Sequence, residues 1–161
     1  MRNERVSKNE RAKGAFLLKR DFAVAVKAVI IKENKALVLC RSKHEMECSY
    51  MNSHQKWDLP GGGLHFFEKA EEGLRREIRE ETDLHVSIGP PLSLFDAIKH
   101  HIHLCIFTYA CTWTGGEVRL SPEHEAFFWM TEEEMEESEL PHWMKRDIRA
   151  AFAALRKKQE G

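Results

Sequence analysis

Three glutamates in the middle of the chain, Glu77, Glu80 and Glu81, have the spacing of metal ligands on one side of a helix. Residues three and four positions apart are neighbours on a helix surface, so exposed carboxylates there repel one another by roughly a few tenths of a kcal/mol per pair. A cation between them removes that repulsion. Because hard oxygen ligands favour Mg²⁺, with Mn²⁺ as the alternative, the spacing predicts a divalent-cation site that also takes phosphate oxygens.

A glycine turn, Gly61 to Gly63, comes shortly before these glutamates. Glycine has no Cβ, so backbone and phosphate groups approach closely at such a turn. The stretch from Glu68 to Thr82 has no proline and is rich in good helix formers, which predicts a helix after the turn. Its apolar stripe of Ala70, Leu74 and Ile78 must face a core, so the glutamates lie where the core meets solvent.

The order of residues from Gly62 to Leu84 resembles the Nudix box. The usual glycine near the end of the box is Asp83 here, a residue type that tolerates a left-handed conformation after a helix better than most. Six fixed residues, each with a background usage of roughly one in fifteen, coincide by chance about once in 10⁷ starting positions. The residues that match are Gly62, Glu68, Arg76, Glu77, Glu80 and Glu81.

The alternative for this segment is a solvated helix whose glutamates pair with Arg75, Arg76 and Arg79. A surface helix needs neither the preceding glycines nor the fixed spacing between Glu68 and Arg76-Glu77. Those two features favour the metal site.

The resemblance implies an α/β fold, the Nudix-type α/β/α sandwich around a mixed curved sheet, and a hydrolase of pyrophosphate bonds. It implies that Glu77 and Glu81 are the principal metal ligands, with Glu80 bound directly or through water. The backbone carbonyl of Gly61 is expected to be a further ligand.

Glu68 and Arg76 are expected to orient the metal-binding carboxylates rather than to bind the metal. A guanidinium forms paired hydrogen bonds with carboxylates and stays charged while it does so. Arg76 therefore belongs to the predicted site as a partner of the glutamates.

The water that attacks a pyrophosphate needs a base, and a loop before Trp129 offers candidates besides the cluster glutamates. Glu123 is the first choice, Glu125 the second and His124 the third, because their position resembles a distal carboxylate loop of the family. The alternative for the three is a solvated acidic turn.

The pattern outside the box predicts further strands. A near-continuous apolar run suits a strand that is buried on both faces. Turns are expected at Glu33–Lys35 and Thr114–Gly116, and strands at Phe22–Ile31, Ala36–Arg41, His101–Trp113, Glu117–Leu120 and Ala126–Met130.

Two more helices and one long connection are predicted. Ser42–Lys56 reads as a polar connection that is long enough to be functional or disordered. Thr131–Glu134 opens a short helix with a capping box, and a final helix begins at Pro141. Its apolar residues recur at helical spacing: Met144, Ile148, Ala151, Phe152 and Leu155.

Length and charge favour one enzyme domain, residues 21–161, behind a basic N-terminal arm, residues 1–20, which is expected to be mobile. The arm has seven Lys or Arg and two Glu, whereas the whole chain has 25 Lys plus Arg against 26 Asp plus Glu. Because no global field draws the chain to nucleic acid or membrane, neither DNA nor a membrane is an expected partner. The oligomeric state stays open, with a homodimer as one option.

No secretion signal or membrane span is visible, so a cytoplasmic protein is expected. The four cysteines, Cys40, Cys48, Cys105 and Cys111, are expected to be reduced thiols. His100, His101 and His103 are expected to face substrate or solvent, with a zinc site as the less favoured alternative.

The expected substrate is a small nucleotide, either a nucleoside triphosphate or a nucleoside diphosphate linked to another group. The sequence patterns that mark the NADH, dinucleoside polyphosphate and ADP-ribose branches of the family are absent. Two alternatives remain. A 5'-end RNA pyrophosphohydrolase would use the basic arm to bind RNA, and a non-catalytic Nudix-like nucleotide-sensing module would have lost the carboxylates that this chain retains.

Overall fold

The computed structural model describes residues 21–49, 53–99 and 101–161, apart from the side chain of Gln159. The predictions for residues 1–20 and for His100 lie outside this part of the chain. The helices within it are α1 (Lys43–Cys48), α2 (Ala70–Thr82), α3 (Glu132–Glu137) and α4 (His142–Glu160). The strands are β1 (Asp21–Lys32), β2 (Lys35–Arg41), β3 (Trp57–Asp58), β4 (Gly61–Gly63), β5 (His85–Lys99), β6 (Ile102–Gly115) and β7 (His124–Met130).

These strands form one mixed sheet in the order β3-β2-β1-β6-β5, with β4 paired to β1 and β7 paired to β2. Strands β1 and β6 run parallel, and the other pairs are antiparallel. One apolar cluster includes Leu74 and Ile78 of α2, and a second includes Met144 and Ile148 of α4. The predicted α/β/α sandwich around a mixed sheet is confirmed.

The first hairpin follows the prediction closely. Strand β1 extends the predicted run by one residue at each end, and β2 begins one residue early. The two turn residues, Glu33 and Asn34, have φ of 48° and 60°. Two consecutive positive φ values match the tight hairpin turn whose twist suits the flanking strands.

Strand β5, at one end of the strand order in the sheet, was not predicted. It contains Gly89, Pro90 and Pro91, which are normally signs of a loop. β5 lies at the edge of the sheet, and its register shifts between Ile88 and Pro91. An edge position with a bulge tolerates proline, because one side of the strand has no ladder to complete.

The predicted strand Glu117–Leu120 is wrong. β6 continues to Gly115 and pairs with β5, whereas residues 116–120 are irregular. Arg119 N donates to Thr82 O at 2.9 Å and Ser121 N donates to Glu81 O at 3.1 Å. The segment therefore satisfies carbonyls at the C-terminal end of α2 instead of forming a ladder.

The helix of the box, α2, begins at Ala70, two residues later than predicted. Lys69 is in extended conformation, and Glu68 lies in the preceding turn, where its side chain accepts a hydrogen bond from His65 N at 2.9 Å. Asp83 has φ 58° and its N–H donates to Arg79 O at 3.0 Å. Asp83 thus takes the left-handed position after the helix that the box usually gives to glycine.

The other helices test the predicted capping box, the predicted final helix and the predicted polar connection. The capping box of Thr131 and Glu134 before α3 is confirmed, as is the burial of Met144 and Ile148 in α4. Part of the predicted polar connection after Arg41 is helical, since α1 occupies 43–48 behind a Ser42 cap. Among the described residues, no helix is long and apolar enough to cross a membrane.

Candidate active site

A cleft of about 840 Å³ lies where β4 and α2 meet the β5–β6 hairpin and α4. Its polar lining includes Gly61 to Gly63, Glu77 and Glu81, together with Glu123 and His124. Its apolar lining comes from the hairpin and from α4: Phe95, Ala97, Leu104, Ile106 and Trp143.

The glycine turn is a short strand, β4, held against β1. Gly61 pairs with Lys27, and Gly62 pairs with Val26. Gly61 has φ 135°, and a Cβ there would lie 2.0 Å from Val26 O. A Cβ on Gly62 would lie 2.8 Å from the Glu77 carboxylate. Glycine is therefore needed at position 61, whereas at position 62 it leaves the space that the Glu77 carboxylate occupies against the strand.

The Glu81 carboxylate is the most deeply buried of the three glutamates, with only 4% of the residue exposed. Its Oε2 accepts a hydrogen bond from Gly61 N at 3.0 Å. The pKa of Glu81 is raised to about 8, mainly by burial of the carboxylate. The charges of Asp58 and Glu123 add to this effect, while Lys27 and the Gly61 N–H oppose it. The site thus concentrates more negative charge than its surroundings stabilise. This excess, and the oxygen-rich donor set, fit a hard divalent cation.

Lys27 was missed by the sequence analysis. Its Nζ donates to Asp58 Oδ1 at 2.8 Å, to Leu59 O at 3.0 Å and to Gly61 O at 3.0 Å. Burial opposes its charge, but Asp58 and Glu81 outweigh this effect and raise the pKa of Lys27. One signal was available, since Lys27 is the single charged residue in the apolar run 22–31.

The contact between Lys27 and the Gly61 carbonyl bears on the predicted metal ligands. A carbonyl oxygen has two lone pairs, so one hydrogen bond leaves a second acceptor site. The Gly61 carbonyl is therefore fixed in place by Lys27 and retains the capacity that a metal ligand needs.

His124 is buried and lies beside Asp58. The His124 Nε2 atom is 3.2 Å from Asp58 Oδ2. Burial would raise the pKa of Asp58, but Lys27 and the hydrogen bond to His124 hold it below its usual range. Since the ionised carboxylate only accepts, His124 Nε2 is assigned as the donor. This pairing makes His124 an orienting partner of Asp58.

Of the three candidate bases, Glu123 lies just before β7 and lines the cleft, whereas His124 and Glu125 are the first residues of β7. One carboxylate oxygen each from Glu81 and Glu123 and one ring nitrogen of His124 lie within 4.8 Å of one another. Glu125 does not line the cleft, and its Oε1 accepts a hydrogen bond from Cys40 Sγ at 3.7 Å. This geometry therefore favours Glu123 over Glu125.

Arg76 contacts three of the four glutamates that match the box, all except Glu81. Its Nε and Nη2 donate to the two oxygens of Glu68 at 2.7 and 2.9 Å. Its Nη1 donates to Glu77 Oε1 at 2.8 Å and to Glu80 Oε2 at 3.3 Å. The hydrogen bonds from Arg76 and from the His65 N–H lower the pKa of Glu68 to about 2.

The predicted glutamates thus occupy different environments. Glu77 and Glu81 line the cleft, whereas the Glu80 side chain is 58% exposed and reaches Arg76 from outside. Glu68 and Arg76 lie behind the cleft wall. Arg76 makes a bidentate pair of hydrogen bonds with the two oxygens of Glu68, which is the contact that an orienting arginine requires.

The Arg76→Lys substitution tests the bidentate contact between Arg76 and Glu68. Lysine keeps the charge but loses the planar fork, so we expect metal affinity or activity to fall by roughly 10- to 100-fold. The measurement is Mg²⁺ dependence of nucleotide hydrolysis. Arg75→Lys is the matched control, because Arg75 is half-exposed and makes a 3.6 Å contact with Glu71. Equal effects at both positions would make Arg76 an ordinary surface charge.

The raised pKa of Glu81 predicts the pH dependence of stability in excess chelator. Because the pKa of Glu81 is about 8 in the folded protein, the proton stays bound up to about that pH, whereas the unfolded chain releases it near the ordinary glutamate pKa of 4.5. The folded state binds more protons in this window, so stability should fall as pH rises through it. One pKa unit corresponds to about 1.4 kcal/mol, so the fall is on the order of a few kcal/mol.

Denaturant unfolding at pH 5 and at pH 8 checks this expectation. Glu81→Gln has no proton to lose there and should flatten the difference. An unchanged difference in that variant would assign the pH effect to other groups.

Comparison with known proteins agrees with this fold. The family profile of the NUDIX domain matches residues 21–152. The chain therefore belongs to the Nudix hydrolase family.

The chain is similar to two curated proteins and to a protein of known structure. A MutT-like protein from Streptomyces ambofaciens is 30% identical over 115 residues, which are 71% of this chain and 68% of the relative. Nucleoside triphosphatase NudI from Escherichia coli O17:K52:H18 is 32% identical over 91 residues, 50% of this chain and 64% of that protein. The crystal structure of a MutT protein from Methanosarcina mazei Go1 matches with a TM-score of 0.68 at 26% identity, covering 88% of this chain and 99% of that chain.

Proposed function

We propose that this protein is a metal-dependent hydrolase of the pyrophosphate bond in a nucleoside triphosphate or in a nucleoside diphosphate linked to another group. The observation that carries the proposal is the buried Glu81 carboxylate beside Glu77 in a cleft floored by glycine backbone. The name of the NudI relative, a nucleoside triphosphatase, supports the triphosphate as the first choice.

The residues that would hold Mg²⁺, or Mn²⁺ in its place, are Glu77, Glu81 and the carbonyl of Gly61, with Glu80 reaching the site directly or through water. When bound, such a cation neutralises phosphate charge and orients the reacting groups.

The chain's own residues then have distinct tasks in hydrolysis. Glu123 accepts a proton from the water whose oxygen forms the new bond to phosphorus. The bridging P–O bond breaks, and the other half of the anhydride leaves with the bridging oxygen as phosphate, pyrophosphate or a phosphate monoester. Lys27 holds the Gly61 carbonyl in place, and Arg76 fixes Glu77 on the cleft wall. Chemistry of this kind depends mostly on positioning and charge neutralisation, which these contacts supply.

The other residues of the cleft favour a nucleoside as the rest of the substrate. The apolar lining from the β5–β6 hairpin and from Trp143 suits the faces of a base. A polar group lies among them, since the buried Asp147 accepts hydrogen bonds from Ser93 Oγ and from Arg146 Nε, each at 3.0 Å. An apolar wall that carries a fixed acceptor suits recognition of a base edge.

A substrate panel with Mg²⁺ tests the proposal. It contains the common nucleoside triphosphates, nucleoside diphosphate sugars and a 5'-triphosphorylated RNA oligonucleotide, with release of phosphate, pyrophosphate and mononucleotide measured separately. We expect turnover of free nucleotides that stops in excess chelator. Turnover confined to the RNA would favour the RNA alternative, and no turnover of any member would favour the sensing module.

A further inference from the structure

The β5–β6 hairpin places three different metal-binding side chains together outside the cleft that holds the box glutamates. Asp96 pairs with Cys105 and Ile98 pairs with His103 in the antiparallel register. Paired residues point to the same side of a sheet, and so do residues two apart on one strand. Asp96, His103 and Cys105 therefore share one face.

The donor atoms of the three side chains converge on one point. Asp96 Oδ1 lies 3.0 Å from His103 Nε2 and 3.1 Å from Cys105 Sγ, and Cys105 Sγ lies 3.8 Å from His103 Nε2. A tetrahedral Zn²⁺ with ligands at about 2.0 to 2.3 Å has ligand-to-ligand distances of roughly 3.3 to 3.8 Å. The triad needs shifts of only a few tenths of an ångström to meet that geometry.

The local contacts favour this arrangement. Phe22 packs edge-on against the His103 ring, with centroids 5.2 Å apart at 88°. Hydrogen bonds from His103 and Cys105 hold the pKa of Asp96 below its usual range, and the hydrogen bond to Asp96 raises the pKa of the Cys105 thiol. A bound cation would therefore take the place of the thiol proton between these two side chains. A carboxylate, an imidazole and a thiol are together the donor types that zinc takes in proteins.

We propose that Asp96, His103 and Cys105 form a binding site for one thiophilic divalent cation such as Zn²⁺, with the fourth coordination position open to solvent. The site is separate from the carboxylate cluster of α2. His103 and Cys105 do not line the cleft, although Leu104 and Ile106 beside them do, and Asp96 alone of the three borders it. A cation here would tie β5 to β6 behind the apolar cleft wall.

Co²⁺ titration tests this site on the full chain, because a cobalt–thiolate bond gives a charge-transfer band that oxygen ligands do not give. The titration is done in excess Mg²⁺, which occupies the oxygen-rich site. We expect a band that saturates at one equivalent of Co²⁺ and is displaced by Zn²⁺. Cys105→Ser and His103→Ala should each lose it, with circular dichroism confirming that both variants fold.

Cys48→Ser is the matched control. Cys48 is exposed and its Sγ lies 3.7 Å from His44 Nε2, but the pair has no converging carboxylate among the described residues. This variant should keep the band. A band that survives in Cys105→Ser, or no band in the wild-type protein at millimolar Co²⁺, would overturn the proposal. Nucleotide hydrolysis by wild type and by Cys105→Ser is measured on the same preparations. The band reports on the cation site and hydrolysis reports on the proposed function, so failure of one is told apart from failure of the other.

Discussion

Glu81→Gln should lower kcat by on the order of 10² to 10³ while the protein stays folded. Glutamine has nearly the shape of glutamate, and its side-chain oxygen can still accept the hydrogen bond from Gly61 N. What it loses is the negative charge, which costs free energy to bury and is therefore expected to serve the cation. Initial rates at saturating nucleotide and Mg²⁺ measure the effect, and thermal unfolding checks the fold.

The control for this variant lies on the same helix. Glu72 is exposed and makes a 4.0 Å contact with the exposed Lys69 Nζ, so Glu72→Gln should leave kcat unchanged. A near-wild-type rate for Glu81→Gln at saturating metal would remove Glu81 from the site. Full turnover of the wild-type protein in excess chelator would refute the metal requirement itself.

The sequence predicted the parts of the site that are local in the chain. The spacing of Glu77, Glu80 and Glu81 depends only on helix geometry, so one segment of sequence contains the whole prediction. The pairing of Arg76 with Glu68 also falls within this segment. Their contacts needed no knowledge of the rest of the fold.

The parts of the site that were not predicted from the sequence depend on contacts between residues far apart in the chain. Lys27 and Asp58 are 31 positions apart and meet because β4 and the segment before it pack on β1. No periodic pattern encodes that meeting. The only trace was one lysine in an apolar strand, and a buried charge of this kind needs a partner that sequence alone does not name.

The errors in the fold have a similar origin. Pro90 and Pro91 signal a loop in isolation, and their place in an edge strand follows from the position of β5 in the sheet. Residues 117–120 have the composition of a strand, but Arg119 N and the neighbouring Ser121 N donate to carbonyls at the end of α2. In both cases tertiary contacts decided between local structures that the residues themselves allow.

Glu123→Gln should lower kcat by about 10² to 10⁴, leave metal affinity nearly unchanged and flatten the acidic limb of the pH–rate profile. The amide keeps the size of the side chain but cannot take the proton from water. The structure favours this assignment, because Glu123 lines the cleft near Glu81 whereas Glu125 accepts from Cys40 Sγ outside it. Glu125→Gln is the matched control and should retain both rate and profile. If Glu125→Gln shows the loss instead, the base is Glu125 at the start of β7 and the choice of Glu123 is wrong. If neither variant shows it, the proton goes to one of the cluster glutamates.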